Sequence, residues 1–156
     1  VLVTRILLLA AATLCPSAAV AQTTLGALLD AGAKHMSVAD FNAVIVQRIL
    51  VGPTFTGGAL EIMYARNGTV QGTGTPPRMS GLGLSTPQAP VQGEWWTEGS
   101  LKICTTMRIS AGAGGGTTGM QLPSRCQYWF RLGTQFFLAD SDTDRSAKVL
   151  PRTIKQ

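Results

Sequence analysis

Two patterns divide the chain. Within "TTLGALLDAGAKHMSVADFNAVIVQRIL", residues 23–50, apolar positions recur at helical spacing; beyond Pro53 they alternate as in strands. Leu25, Leu28 and Leu29 fall on one helical face, and Gly32 supplies a stop. Ser37 can cap a second helix, with Asp40 placing a carboxylate near its N-terminus. Phe41, Val44 and Ile45 line one face of that helix. The run "VIVQRILV" is β-branched, so the helix is expected to give way to a strand that Gly52-Pro53 closes.

The strand pattern begins with "ALEIMYA", where Leu60, Ile62 and Tyr64 share one side. Asn67-Gly68 is a strong hairpin turn, and "VQGTG" returns from it. The segment "TPPRMSGLGLSTPQAPVQG" holds four of the eight prolines and reads as a loop or irregular edge. Its sequence leaves open whether 72–93 is ordered. "EWWT", the turn "EGS" and "LKICTTMRI" form the next hairpin; "CQYWFRL", "GTQ" and "FFLAD" form another. "AKVLPRTIK" is expected to close the sheet as an edge strand, because Pro151 cannot donate to a ladder. The fold class is mainly β: an antiparallel sandwich or small barrel with one or two short N-terminal helices.

The first residues change the picture of compartment. "VLVTRILLLAAATLCPSAAVAQ" joins Arg5 to a short apolar run and an Ala19-Val20-Ala21 end. That is the layout of a secretory signal peptide, 1–21, cleaved to leave a single domain, 22–156. The apolar run is too short to cross a bilayer, and no transmembrane segment follows it. Leu14 before Cys15 is not the small residue that a lipid anchor wants. A periplasmic or secreted protein is therefore expected.

Cys15 leaves with the leader, so Cys104 and Cys126 remain as an even pair in an oxidising compartment. They lack C-x-x-C redox spacing, and one histidine cannot complete a zinc set. The reading is a disulfide across a hairpin. Direct pairing of Cys104 with Cys126 sets Arg108 against Leu122 and Ser110 against Met120, with residues 111–119 as the loop. One conflict stands. Apolar residues occupy the odd positions on 101–109 but the even positions on 126–132, so a bulge or a half-covered face is required.

Charge narrows the partners. Of 13 Lys and Arg against 8 Asp and Glu, the leader removes Arg5, leaving a mature charge of +4. The excess is scattered, with no basic run, so nucleic acid is not an expected partner.

The layout resembles a family of small exported proteobacterial proteins known only as a domain of unknown function. The resemblance rests on "GGALEIMYARNGTVQGTG", "GEWWTEGSLKIC" and "CQYWFRLGTQFF", and covers roughly residues 33 to 155. It implies the capped helix, the turn glycines and the two-cysteine β-domain, and no activity. The glycine tract and the long Pro/Gly segment depart from it as loop insertions.

No constellation reaches a catalytic signature. His35, Ser37 and Asp40 lie too close along the chain to face one another as a triad. Glu94 and Glu98 flank two tryptophans as in a sugar site, but Glu98-Gly99 is a turn. Asp140, Asp142 and Asp144 have calcium-loop spacing, yet Arg145 and Pro151 stand where Gly and Glu are needed. An acidic turn is the reading, with weak calcium binding as the alternative. The glycines at 112–116 lack a phosphate-loop lysine. No metal or cofactor is expected.

The aromatic pairs are more informative. Neighbours in a strand face opposite ways, so Trp95 and Trp96, Tyr128 and Trp129, and Phe136 and Phe137 cannot share one core. Either the N-terminal helical segment covers the second face, or an aromatic surface remains. Trp95, Trp96 and Trp129 with Arg125 and Arg131 are the candidate binding residues, for an unknown protein or small-molecule ligand. The functional expectation is a non-catalytic binding domain, of which an inhibitor of an exported enzyme is one form. The alternative is a small exported hydrolase using acidic residues.

Overall fold

The structure, a computed structural model, describes residues 23–55, 57–75, 88–110 and 120–156. Residues 1–22, 56, 76–87 and 111–119, which take in the expected leader, part of the Pro/Gly segment and the glycine tract, lie outside the described residues.

Helix α1 (Leu25–Asp30) starts where the Thr24 hydroxyl accepts from Ala27 N, and its chain reverses at Gly32, φ 89°. Helix α2 (Val38–Val44) starts at a capping box: Ser37 Oγ accepts from Asp40 N while Asp40 Oδ2 accepts from Ser37 N at 2.9 Å. Between the helices, β1 (Lys34–His35) is a two-residue strand. Eight strands follow: β2 (Ile49–Pro53), β3 (Ala59–Tyr64), β4 (Thr69–Thr75), β5 (Ala89–Glu98), β6 (Lys102–Ile109), β7 (Met120–Leu132), β8 (Gln135–Ala139) and β9 (Val149–Ile154). Each pairs antiparallel with the next, and β9 returns to β2. The result is a closed up-and-down barrel rather than a sandwich. Tight hairpins turn on Gly68, Gly99 and Gly133, all at positive φ.

Two expectations are corrected. Strand β5 begins at Ala89, so "APVQG" is paired barrel wall and not loop. Strand β9 is not an edge: it pairs with both β8 and β2. Pro151 is tolerated there because the β2–β9 ladder runs only over Leu50–Ile154 and Val51–Thr153, so Pro151 meets β8 alone. Beyond that short ladder the side chain of Arg152 bridges the two strands. Its Nη1 donates to the carbonyls of Pro53 at 2.6 Å and Pro151 at 2.8 Å.

The cysteine conflict is settled by a covered outer face: Tyr128, Phe130 and Leu132, on the side of Cys126, pack with Leu25 and Leu28 of α1. Cys104 and Cys126 are paired in register and bonded. Toward the loop the register slips by one, so Arg108 meets Gln121 and Met107 meets Leu122, instead of Arg108 with Leu122. A bulge at Pro123–Ser124 accommodates the extra residue, where a proline has no N–H to lose. Leu122 thereby returns to the barrel interior.

Both sides of the wall carry a core. Inside, Leu60, Ile62, Tyr64, Val70, Val91, Ile103, Trp129 and Leu138 pack together. Helix α2 plugs one end with Phe41, whose ring lies 5.2 Å from Tyr64 and 5.0 Å from Trp129, both edge to face. Outside, α1 lays Leu25 and Leu28 on Phe130, Phe137, Ala139 and Val149. It is held there by Leu25 N to Ala147 O and Gly26 N to Arg145 O, each 2.8 Å, and by the Arg145–Asp30 ion pair.

Candidate functional site: a cup at the open end of the barrel

The plug and the opposite end are distinguished by the same strands. On β3, Tyr64 meets Phe41 while Leu60 faces the other end; on β7, Trp129 meets Phe41 while Gln127 and Leu122 lie toward the other end. At that end the interior opens into a cup of about 130 Å³. Its apolar wall includes Phe55, Leu60, Met107, Leu122 and Leu150. Three polar side chains reach into this lining while buried: Thr105, Gln127 and Arg152. Buried polar groups inside an otherwise apolar barrel are costly unless something hydrogen-bonds them, which makes this the chemically distinctive part of the fold.

The rim is built by strand direction. Arg125 and Gln127 follow the inward parity of Trp129, and both turn to Asp140 at the end of β8. Arg125 Nη1 and Gln127 Nε2 each donate to its carboxylate at 2.9 Å. Arg125 also lies over the Phe55 ring, 4.7 Å from its centre, joining the β2–β3 connection to β7 across the mouth. Deeper in, burial pushes the Tyr64 hydroxyl up to about 12, with the Arg152 charge opposing. Desolvation lowers Arg152 from its ordinary value, and Tyr64 opposes that shift. Arginine stays charged regardless.

The structure distributes the five sequence-derived binding residues over different places. Trp129, 1% exposed, lies among the core rings, which removes it from any surface. Trp95 is half-buried beside Phe41, its indole N–H donating to Ala65 O at 2.7 Å. Trp96 faces outward, 43% exposed, opposite Cys104. Arg125 stands at the cup's rim. Arg131 sits at the plugged end, bonded to the Gly133 carbonyl and over Phe136. Only Arg125 belongs to the cup; these residues do not form one patch.

The other constellations are placed as follows. Ser37 and Asp40 spend their hydrogen bonds on the cap. His35 rests edge-on against Tyr128 and Phe130. Glu94 and Glu98 point the same way from β5, four residues or ~13 Å apart, beyond the spacing of a glycosidase pair. Asp140 is engaged by Arg125 and Gln127, and Asp144 by Ser146. Among the described residues the cluster of metal-ligating atoms that does form is Glu98 with Cys104 and Cys126, whose sulfurs are bonded to each other.

Sequence reasoning passed over Arg152 and Gln127. The available signal was parity: on β9, Leu150 and Arg152 share a side, so a charged residue falls on the face of a buried leucine. No helix among the described residues is long and apolar enough to cross a membrane. No family model, no curated protein and no solved structure matches this chain.

Proposed function

We propose that this chain is an exported, non-catalytic binding barrel that takes a small molecule in the cup at its open end. The observation that carries the reading is the combination of an apolar hollow with buried Thr105, Gln127 and Arg152 in its lining. A few polar groups fixed in an apolar concavity is how small-molecule sites orient a ligand. Non-catalytic fits the acidic residues, which are spread over strands, turns and a helix cap. Export fits the leader pattern of 1–21, the disulfide and the lack of a long apolar helix among the described residues.

The test is a nitrogen-15 NMR titration of the oxidised 22–156 protein with a panel of small aromatic and aliphatic molecules. Saturable shifts at Leu60, Thr105, Gln127 and Leu150 are expected. A panel that leaves these residues unmoved, or moves the surface around Trp96 instead, overturns the cup. Intact mass of the exported protein, before and after reduction and alkylation, tests the leader and the bridge together.

A further inference from the structure

The cup holds a charge that nothing in the described chain balances. Arg152 is 6% exposed, inside the barrel. The ion pairs among the described residues, Lys102–Glu98, Arg125–Asp140, Arg145–Asp30 and Lys155–Glu61, do not involve Arg152. A buried cation without an anion is strongly disfavoured, and a guanidinium cannot relieve this by losing its proton.

A structural role accounts for only part of the side chain. Nη1 spans the β2–β9 gap through the Pro53 and Pro151 carbonyls. Any uncharged donor of the same reach would serve there. Nε and Nη2 make no hydrogen bond to the described residues. Two carbonyls on Nη1 hold the guanidinium plane, and a guanidinium edge offers two parallel N–H groups of the spacing that a carboxylate accepts. We infer that the ligand of the cup is a compact organic monocarboxylate, received by the free edge of Arg152 with its hydrocarbon part against Leu60, Met107, Leu122 and Leu150.

Size and charge set the class. About 130 Å³ is close to the apolar cavity of ~150 Å³ that takes a benzene ring in another protein. The part of the ligand that the cup encloses is therefore of benzoate size. One unbalanced cation calls for one negative charge. The second cation of the lining, Arg125, is already paired with Asp140. A phosphate monoester would bring a surplus charge into an apolar wall, which disfavours it.

The inference rests on the cup as the binding site, and the experiment separates the two. Wild-type oxidised protein is titrated at neutral pH with benzoate, with benzyl alcohol as a neutral probe of similar size, and with phenyl phosphate as a dianion. Benzoate is expected to bind at least roughly tenfold tighter than benzyl alcohol, and to move the Arg152 Nε–H resonance. In Arg152→Met the preference for benzoate disappears. Because that variant also loses the β2–β9 bridge and can misfold, Leu122→Trp, which fills the cup and leaves Arg152 in place, is run beside it. Benzoate binding is expected to be lost there too. Equal binding of benzyl alcohol and benzoate at the cup overturns the anion and leaves the cup standing. Tighter binding of phenyl phosphate overturns the monoanion. Benzoate binding unchanged in Leu122→Trp, or no probe moving the cup residues, overturns the site itself.

Discussion

Trp129 and Phe130 are consecutive residues of β7, each 1% exposed, and they lie in two separate cores. Trp129 packs inside the barrel against the ring of Phe41, while Phe130 packs outside under Leu25 and Leu28 of α1. One strand thus ties the plug helix, the wall and the covering helix together.

Trp129→Ala is expected to cost roughly 3–5 kcal/mol, the range for emptying a large aromatic from a core. Trp96→Ala, on the exposed outer face, is expected to stay within about 0.5 kcal/mol. Urea unfolding of both variants checks the contrast, and similar losses would contradict the placement of the two rings.

The Cys104–Cys126 bridge closes a loop of 22 residues of sequence separation. In the chain-entropy view, its removal lowers stability by about 3 kcal/mol. Denaturation with and without reductant measures this. The paired Cys104→Ser and Cys126→Ser variant should match the reduced protein.

At acid pH the caps matter. The Ser37 hydroxyl and backbone hold the Asp40 carboxyl below its ordinary 3.8, and Ser146 does the same for Asp144. A depressed folded pKa means stability that is present above 3.8 and lost as pH falls through the lowered value. Asp40→Asn should therefore flatten the acid limb of a stability-against-pH curve. Ser37→Ala should cost about 1 kcal/mol at neutral pH.

At alkaline pH the sign reverses. Burial raises Tyr64 from 10.0 to about 12, so the unfolded chain ionises first. Stability from keeping this phenol neutral is present below pH 10 and is lost as pH rises toward about 12. Tyrosinate absorbance should show one late-ionising tyrosine, and Tyr64→Phe should retain its stability through that window.

Much of the wall was legible along the chain. The alternation of Leu60, Ile62 and Tyr64 appears as three buried side chains on one face. Asn67-Gly68, Glu98-Gly99 and Gly133 turn the hairpins because local backbone preference is enough to reverse a chain. Ser37 and Asp40 spelled out a cap whose four-residue geometry needs no distant contact. The cysteine pair announced its bridge through its spacing, which suits neither a redox motif nor a zinc set.

Other features needed the closed barrel. Pro151 looked like an edge residue because a sequence reports a missing N–H but not which side of the strand already lacks a partner. The clash of odd and even apolar positions around Cys104 and Cys126 left a bulge or a covered face open; the outer face is covered, with Phe130 under α1, and the bulge at Pro123–Ser124 lies beyond the bridge. The same parity that sends Trp129 inward leaves Phe130 outside. Whether that outer face is core or surface depended on where α1 docks, a contact made across more than 100 residues, as in Gly26 N to Arg145 O. The cup is decided in the same way. Phe55, Thr105, Gln127 and Arg152 lie on four different parts of the chain, and no local pattern relates them. Closure of β9 onto β2 brings them to one end of the barrel, because strand pairing converts separate inward parities into a shared interior.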